Sequence, residues 1–596
     1  MLPALAAAFA VIPAAAAAQP SNPVDTATDR LVQTPFAQPS AGRRLTKERA
    51  TAIFLRNDKV ADWLDRYSRS GRITDATYES DPAKCTAGTQ GGCWEVKVWW
   101  KVSEDKDAGE IADGRVEDRT GRVTEAWTGP QVAWKMARGY DGAFGGKRIN
   151  QPTIWLGFCA LFLLGLLDFR RPISWLSLDL LVLVSFSVSL WFFNHGNVFA
   201  SAPLAYPPLV YLLLRGVWIG VRGQRSRVIG TRSAWPAWLL LAATVFLLGF
   251  RIGLNYRDSN VIDVGYAGVI GAQRIAAGES PYNHFPVEDD LKACGGADAE
   301  GEIRDRIQTN GRCESANPQG DTYGPVAYEA YLPAYWARGW SGKWDRLPAA
   351  HLTSVVFDAL ALIGLFLVGW RFGGSWLAAA LPFAWASYPF TQYVSSSNTN
   401  DAIMPVLLIF GFWLVTSPWA RGAFLALSGW TKFASLVVAP LWLTYPGPIR
   451  RPRPALAFAG GFVLATAAAF SILLLEPSPV QAAKDFYERT IQNQIDRESP
   501  FSLWDWRQYH ARGLPDLQLV QRVLEGLLVV GAVVFAFIPR RKTPLQLAAL
   551  TGALLLGFEL VLTHWFYLYV PWFFPFVAYA VLVSHGRPER DLPAVH

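Results

Sequence analysis

The stretch TIWLGFCALFLLGLLDFRR at 153–171 decides the fold. Its apolar run approaches the ~20 residues that cross a ~30 Å hydrocarbon core, and it stops at Arg170-Arg171, the kind of anchor found on the cytoplasmic face. The pattern recurs, with apolar runs beginning near residues 153, 174, 206, 236, 351, 375, 402, 422, 455, 517, 545 and 567. Hydrophobic residues make up 51% of the 596 and charged residues 17%, which excludes a string of soluble domains for most of the chain. The net charge of +7 sits in short basic clusters between the runs, and no nucleic-acid motif accompanies it. The expected fold is mainly α, a polytopic transmembrane bundle of about 12 membrane segments, with a small α+β domain at the N-terminus.

Charge asymmetry threads the bundle. With residue 150 outside, three spans over 152–234 put Arg170-Arg171 and the Arg222 to Arg232 cluster inside, and the long loop from 255 to 350 outside. One straight span over 422–445 would leave Arg450, Arg451 and Arg453 outside. A re-entrant pair of short helices turning at Gly429-Trp430-Thr431-Lys432 keeps them inside, and irregular backbone at that depth is tolerable where it lines a protein cavity. The loop 477–516 is then outside, and Arg540-Arg541-Lys542 and the tail 586–596 are inside.

Ahead of the bundle, MLPALAAAFAVIPAAAAA at 1–18 reads as a signal peptide, with an uncleaved anchor as the alternative. Residues 19–45 are rich in Pro, Ser, Thr and Gln and read as a disordered linker. Residues 46–148 open with a helix expected over Lys47 to Tyr67, continue into strands such as Trp94 to Trp99, and form a hairpin turning at Thr120-Gly121. That hairpin resembles the PepSY type of envelope domain, in which D-x-x-T-G-x-V recurs; here it runs from Glu117 to Val123, with Glu in place of the first Asp. A docking or regulatory role is expected for this domain. Two local cysteine pairs, Cys85 with Cys93 and Cys294 with Cys313, are expected to form disulfides in an oxidising compartment, leaving Cys159 unpaired.

Chemistry is expected in the external loops. Asp263 opens DVGY just beyond the fourth span; GESPYN and GDTYGPVAYEAYLPAYW follow. With SSSNTND at 395–401, the Lys432 turn, FYERTIQNQIDRESPFSLW at 486–504 and THWFYLYVPWFFP at 563–575, these resemble glycosyltransferase family 87 over residues 235–585. Members are GT-C-fold membrane enzymes that use polyprenyl-phosphate sugars, including polyprenyl-phosphomannose-dependent mannosyltransferases. The resemblance implies an inverting transfer of a sugar, mannose above others, to an extracytoplasmic lipid or glycan. The polyprenyl-phosphate sugar is then a co-substrate, no cofactor is needed, and the enzyme lies in the inner membrane with its site facing outward. It also implies that Asp263 is the general base, with Asp258 as the rival.

Lys432 is the leading candidate for the donor phosphate, because a lysine in an apolar segment is costly unless it meets an anion or water; snorkelling to an interface is the alternative. His564, Arg497 and Arg489 are further phosphate candidates against the reading of an interfacial histidine and exposed loop arginines. Tyr266, Tyr282, Tyr323, Asp401 and Trp504 are expected to line the substrate cavity, although Asp401 also reads as a helix cap and the aromatics as interfacial belts. Asp179 and Asp358 lie deeper and are expected to be hydrogen-bonded inside the bundle. The loops carry no tight ligand cluster, so no metal is expected. Two other functions compete: a transporter or flippase, and a non-catalytic envelope assembly protein.

Overall fold

The computed structural model describes residues 39–40, 42–82, 85–86, 89–101, 109–132, 142, 144–223, 235–285, 306–307, 313–314, 320–340, 347–449, 451–496, 499–509 and 511–585. The expected signal peptide, most of the linker, the 586–596 tail, Arg497 and Cys294, and with it the expected Cys294–Cys313 bond, lie outside them. The chain divides into two units, one of residues 1–136 with 506–515 and one of 137–505 with 516–596.

In the first unit, helices α1 (Lys47–Leu55) and α2 (Asp58–Leu64) accompany a four-stranded antiparallel meander. Its strands are β1 (Arg72–Glu79), β2 (Cys93–Trp100), β3 (Gly109–Glu117) and β4 (Val123–Thr128), in that order. The single helix expected over 47–67 is broken. Asn57 adopts φ −56° and ψ 131°, which ends α1 and lets α2 start anew. Cys85 and Cys93 form a disulfide, with Cα atoms 6.0 Å apart. Glu117, the residue that departs from the PepSY pattern, does the bracing at the β3–β4 turn: its carboxylate accepts from the Thr120 hydroxyl (2.5 Å) and from the Gln90 amide (2.7 Å). The neighbouring Asp118 carboxylate is buried and accepts from the amides of Arg44 (2.8 Å) and Leu45 (3.0 Å) and from the Trp94 indole (2.9 Å). Trp506–Pro515, read from sequence as part of an external loop of the bundle, belongs to this unit instead: Arg512 donates to the Arg66 carbonyl (3.2 Å) and Tyr509 packs edge-on against Trp63.

The second unit is helical. Its elements are α3 (Pro152–Leu166), α4 (Trp175–Asn194), α5 (Val198–Arg222), α6 (Ala237–Arg257), α7 (Asp263–Ala276), α8 (Pro325–Glu329) and α9 (Leu332–Arg338). They continue as α10 (Pro348–Ser387), α11 (Pro389–Ser397), α12 (Ile403–Trp413), α13 (Pro418–Gly429), α14 (Ala439–Leu443) and α15 (Pro452–Ala469). The last are α16 (Pro479–Phe486), α17 (Gln518–Phe537), α18 (Pro544–Val561) and α19 (Val570–Ser584). Among the described residues, 8 helices are long and apolar enough to cross a membrane. The 40-residue α10 is interrupted at Gly374 (φ 75°), where the sequence places the boundary between the runs at 351 and 375.

The exterior of this unit is not that of a water-soluble protein. On α6, Val245 is 71% and Phe246 73% exposed, while Arg251 is fully buried. An apolar exterior around charged interior groups is the arrangement a bilayer demands. The interior charges are paired. Arg251 makes a two-pronged bond to Asp358 (2.7 and 2.5 Å), which also accepts from the Trp385 indole (2.7 Å). Asp179 accepts from Tyr211 (2.7 Å) and pairs with Arg215 (3.0 Å). Both aspartates are therefore bonded inside the bundle, as expected from the cost of an unpaired charge in hydrocarbon. Cys159 is free and buried.

Replacing Asp118 with Ala should orphan two buried donors, the Leu45 amide and the Trp94 indole, at about 1–3 kcal/mol apiece, and release the part-buried Arg44 amide. Hydrogen exchange at the Arg44 and Leu45 amides should accelerate by about 10- to 100-fold in the variant, and unchanged protection would show that Asp118 is not the anchor.

Candidate functional site

The site is organised by the turn at 395–401. Asn398 ends α11 in the left-handed region (φ 53°), a conformation that asparagine tolerates. Its side chain is fully used: the amide donates to Ser259 Oγ (2.9 Å) and to the Asn260 carbonyl (2.8 Å), and its oxygen accepts from Asn255 (2.8 Å). Asn255 lies one turn after Arg251 on the buried face of α6, so one helix carries both the ion pair and this clamp. The backbone of 260–262 then runs beside the turn, with Asn260 and Ile262 donating to the Ser396 and Ser397 carbonyls. Asp263 follows as the first residue of α7 and is half-buried. At Gly265 a Cβ would stand 2.2 Å from the Asn398 carbonyl oxygen, so only glycine lets α7 approach this closely.

Lys432 flanks the same turn from the other side. Helix α13 stops at Gly429, Lys432 is extended (φ −140°, ψ 123°), and a 3-10 segment, Phe433–Val438, leads into α14. Residues 422–445 are thus not one straight helix. The Lys432 ammonium lies 3.1 Å from Asp401 Oδ1, and its side chain is only 11% exposed. Trp572 donates to the same oxygen at 3.1 Å. The rings of Tyr323, Trp572 and Tyr569 surround the ammonium at 4.6, 5.6 and 5.7 Å from their centroids, within cation–π range. Tyr323 is brought there by the next residue. At Gly324 a Cβ would fall 2.0 Å from the Trp430 carbonyl oxygen, which also accepts from the Val326 amide (3.2 Å). Around this pair lie buried polar atoms with no protein hydrogen bond: Asp401 Oδ2, both side-chain polar atoms of Asn400, and the Tyr331 hydroxyl.

The remaining candidates fall into distinct places. Arg489 is half-buried and locked two-pronged on the buried Asp321 (2.7 Å to each oxygen), which also accepts from the Asn283 amide (2.8 Å). Tyr282 is buried and donates to the Tyr323 carbonyl (3.0 Å), so it supports the cage. His564 bonds to Ser499 Oγ (2.9 Å) and packs edge-on to Tyr569, one ring removed from Lys432. Trp504 donates to the Leu560 carbonyl (2.9 Å) and packs against Tyr206. Tyr266 is buried and meets the edge of Trp340. Asp258 accepts from the Arg148 amide (2.5 Å), which ties it to the segment before α3. Sequence reading missed Asp321, Tyr331, Tyr569 and Trp572. Asp321 stands two residues before Tyr323, and a carboxylate with no basic neighbour inside GDTYGP was a usable signal.

One further carboxylate borders the site. Burial pushes Glu329, at the end of α8, up to about 7. The chain matches no family model and no curated protein.

Because the folded protein holds Glu329 above the usual carboxylate value, its neutral form is favoured by folding, and stability falls as pH rises from the unfolded pKa through about 7. Wild type should lose thermal stability relative to Glu329→Gln across that window. Parallel melting temperatures of the two proteins at pH 5 and pH 8 would contradict this.

Proposed function

We propose that the chain is a multi-pass membrane glycosyltransferase that takes a sugar, mannose by the family 87 resemblance, from a polyprenyl phosphate. The acceptor is a hydroxyl of an extracytoplasmic lipid or glycan, and the site lies on the outer side of the inner membrane. The observation that carries this is the Lys432 ammonium, held by Asp401 and three aromatic rings at a break between two short helices, among buried polar atoms that no protein group satisfies. A lysine within an apolar bundle calls for an anion, and a phosphate with its hydroxyl-rich sugar offers one together with hydrogen-bonding groups for these atoms.

In the proposed reaction, Asp263 accepts the proton of the acceptor hydroxyl as its oxygen bonds to the anomeric carbon. The bond from that carbon to the phosphate oxygen breaks on the opposite face, and the lipid phosphate leaves as an anion beside Lys432. The ammonium has three protons, and Asp401 Oδ1 lies within ion-pair distance of it. Asp401 and Trp572 position Lys432, while Tyr323 and Tyr569 offer faces for the sugar. Arg489, spent on Asp321, stiffens the loop in place of binding phosphate. No enzyme nucleophile is required, so a β-linked donor gives an α-linked product. The first unit is assigned a docking or regulatory role.

One observation favours a second reading. Broken helices bearing charge are also how transporters build substrate sites, and the 429–439 interruption is of that form. Purified protein in detergent, where no gradient exists, separates the two, since only an enzyme yields glycosylated acceptor.

The Asp263→Asn variant should retain donor binding while turnover drops by about 10²- to 10⁴-fold, the usual worth of a general base. Lys432→Ala should weaken donor binding as well as turnover. A β-linked product from a β-linked donor, or near-normal turnover of Asp263→Asn, would refute the mechanism.

A further inference from the structure

At the ends of α12 and α13 farthest from Lys432 the bundle gathers cations without carboxylates. Arg371 donates to the Trp413 carbonyl (2.5 Å) and to Thr416 Oγ1 (2.9 Å). Arg421, only 2% exposed, donates to the Val415 carbonyl (2.5 Å), and its Nε has no partner. The Arg421 guanidinium stands 5.4 Å from the centre of the Tyr445 ring. The turn that follows Tyr445 is pinned to the next basic cluster: the Lys542 amide donates to the Pro446 carbonyl (2.7 Å), and a Cβ at Gly447 would lie 2.9 Å from the Arg540 carbonyl and 3.6 Å from Arg541 Cγ. The Lys542 ammonium is buried on the Ala536 carbonyl (2.8 Å), while Arg540 and Arg541 are exposed. Among the described residues, none of these five cations meets a carboxylate.

Carbonyl contacts account for the direction of the two guanidiniums, since helix C-terminal oxygens carry partial negative charge. They do not neutralise a buried full charge, which calls for an anion. We infer that this end of the bundle binds the phosphate of an anionic phospholipid, which sits over the Tyr445–Gly447 turn against Arg371, Arg540 and Arg541, with the Arg421 charge behind it. Arginine forks match phosphate oxygens, and basic pockets between membrane helices take lipid headgroups. A lipid is favoured over free phosphate because exposed apolar side chains border the cations on both sides: Trp419 and Ile449 near Arg421 and the turn, Phe537 and Ile538 just before Arg540. These provide the surface for acyl chains. The site is independent of the proposed glycosyl transfer and lies at the end that the basic clusters mark as cytoplasmic.

Full-length protein in nanodiscs of mixed phosphatidylglycerol and phosphatidylcholine, extracted into neutral detergent and weighed by native mass spectrometry, tests the assignment. Wild type should keep phosphatidylglycerol in preference to phosphatidylcholine, and Arg371→Gln or the Arg540→Gln/Arg541→Gln pair should cut that retention by about tenfold. Arg421→Gln is less informative because a buried change can disturb folding, whereas Arg540 and Arg541 are exposed and leave the fold intact. Equal retention of the two lipids, or retention unaffected by the exposed pair, means that the arginines only orient the chain by charge and overturns the site. Displacement of the lipid by millimolar inorganic phosphate overturns the lipid in favour of the free anion.

Discussion

A charge inside a helical bundle surrounded by hydrocarbon must find its counter-charge, and this constraint shapes the second unit. Arg251–Asp358 and Lys432–Asp401 obey it differently. The first pair is closed: its carboxylate takes both prongs of the guanidinium and an indole, and the remaining guanidinium nitrogen reaches the Ala386 carbonyl and Thr391. Such a pair fixes α6 against α10 and has nothing left to offer a ligand. The second is looser, because Asp401 keeps one oxygen without a protein hydrogen bond and the lysine lies against three aromatic rings. The same physics therefore yields a closed staple in one place and a less fully bonded pair in another.

The two are connected along α6. Arg251 sets the helix in the core, Asn255 one turn later clamps the left-handed Asn398, and the backbone beyond delivers Asp263 to the turn that holds Asp401. Position in the site is thus inherited from burial in the core, and loops contribute side chains whose backbones are already fixed.

Sequence made the bundle legible because span length and basic clusters are local signals. The break near Lys432 was readable for the same reason, since Arg450, Arg451 and Arg453 forbid a simple crossing. The Cys85–Cys93 bond was readable from proximity in a short loop. What escaped were partnerships over long separations. Nothing near Asp321 names Arg489, and nothing near Lys432 names Asp401, because each bond is decided by how helices stack after folding. The break at Asn57 was hidden by an uninterrupted helical pattern, and the return of Trp506–Pro515 to the first unit has no local signature. Within the site, residue types were visible but their couplings were not.

The contact between Gly324 and Trp430 bears on how the site could open. With no room for a side chain between them, the 321–326 segment and the Lys432 turn are packed backbone against backbone. That segment carries the Tyr323 ring to the Lys432 ammonium and, through Asp321, holds Arg489. The arrangement is a lever whose fulcrum is a missing methyl group.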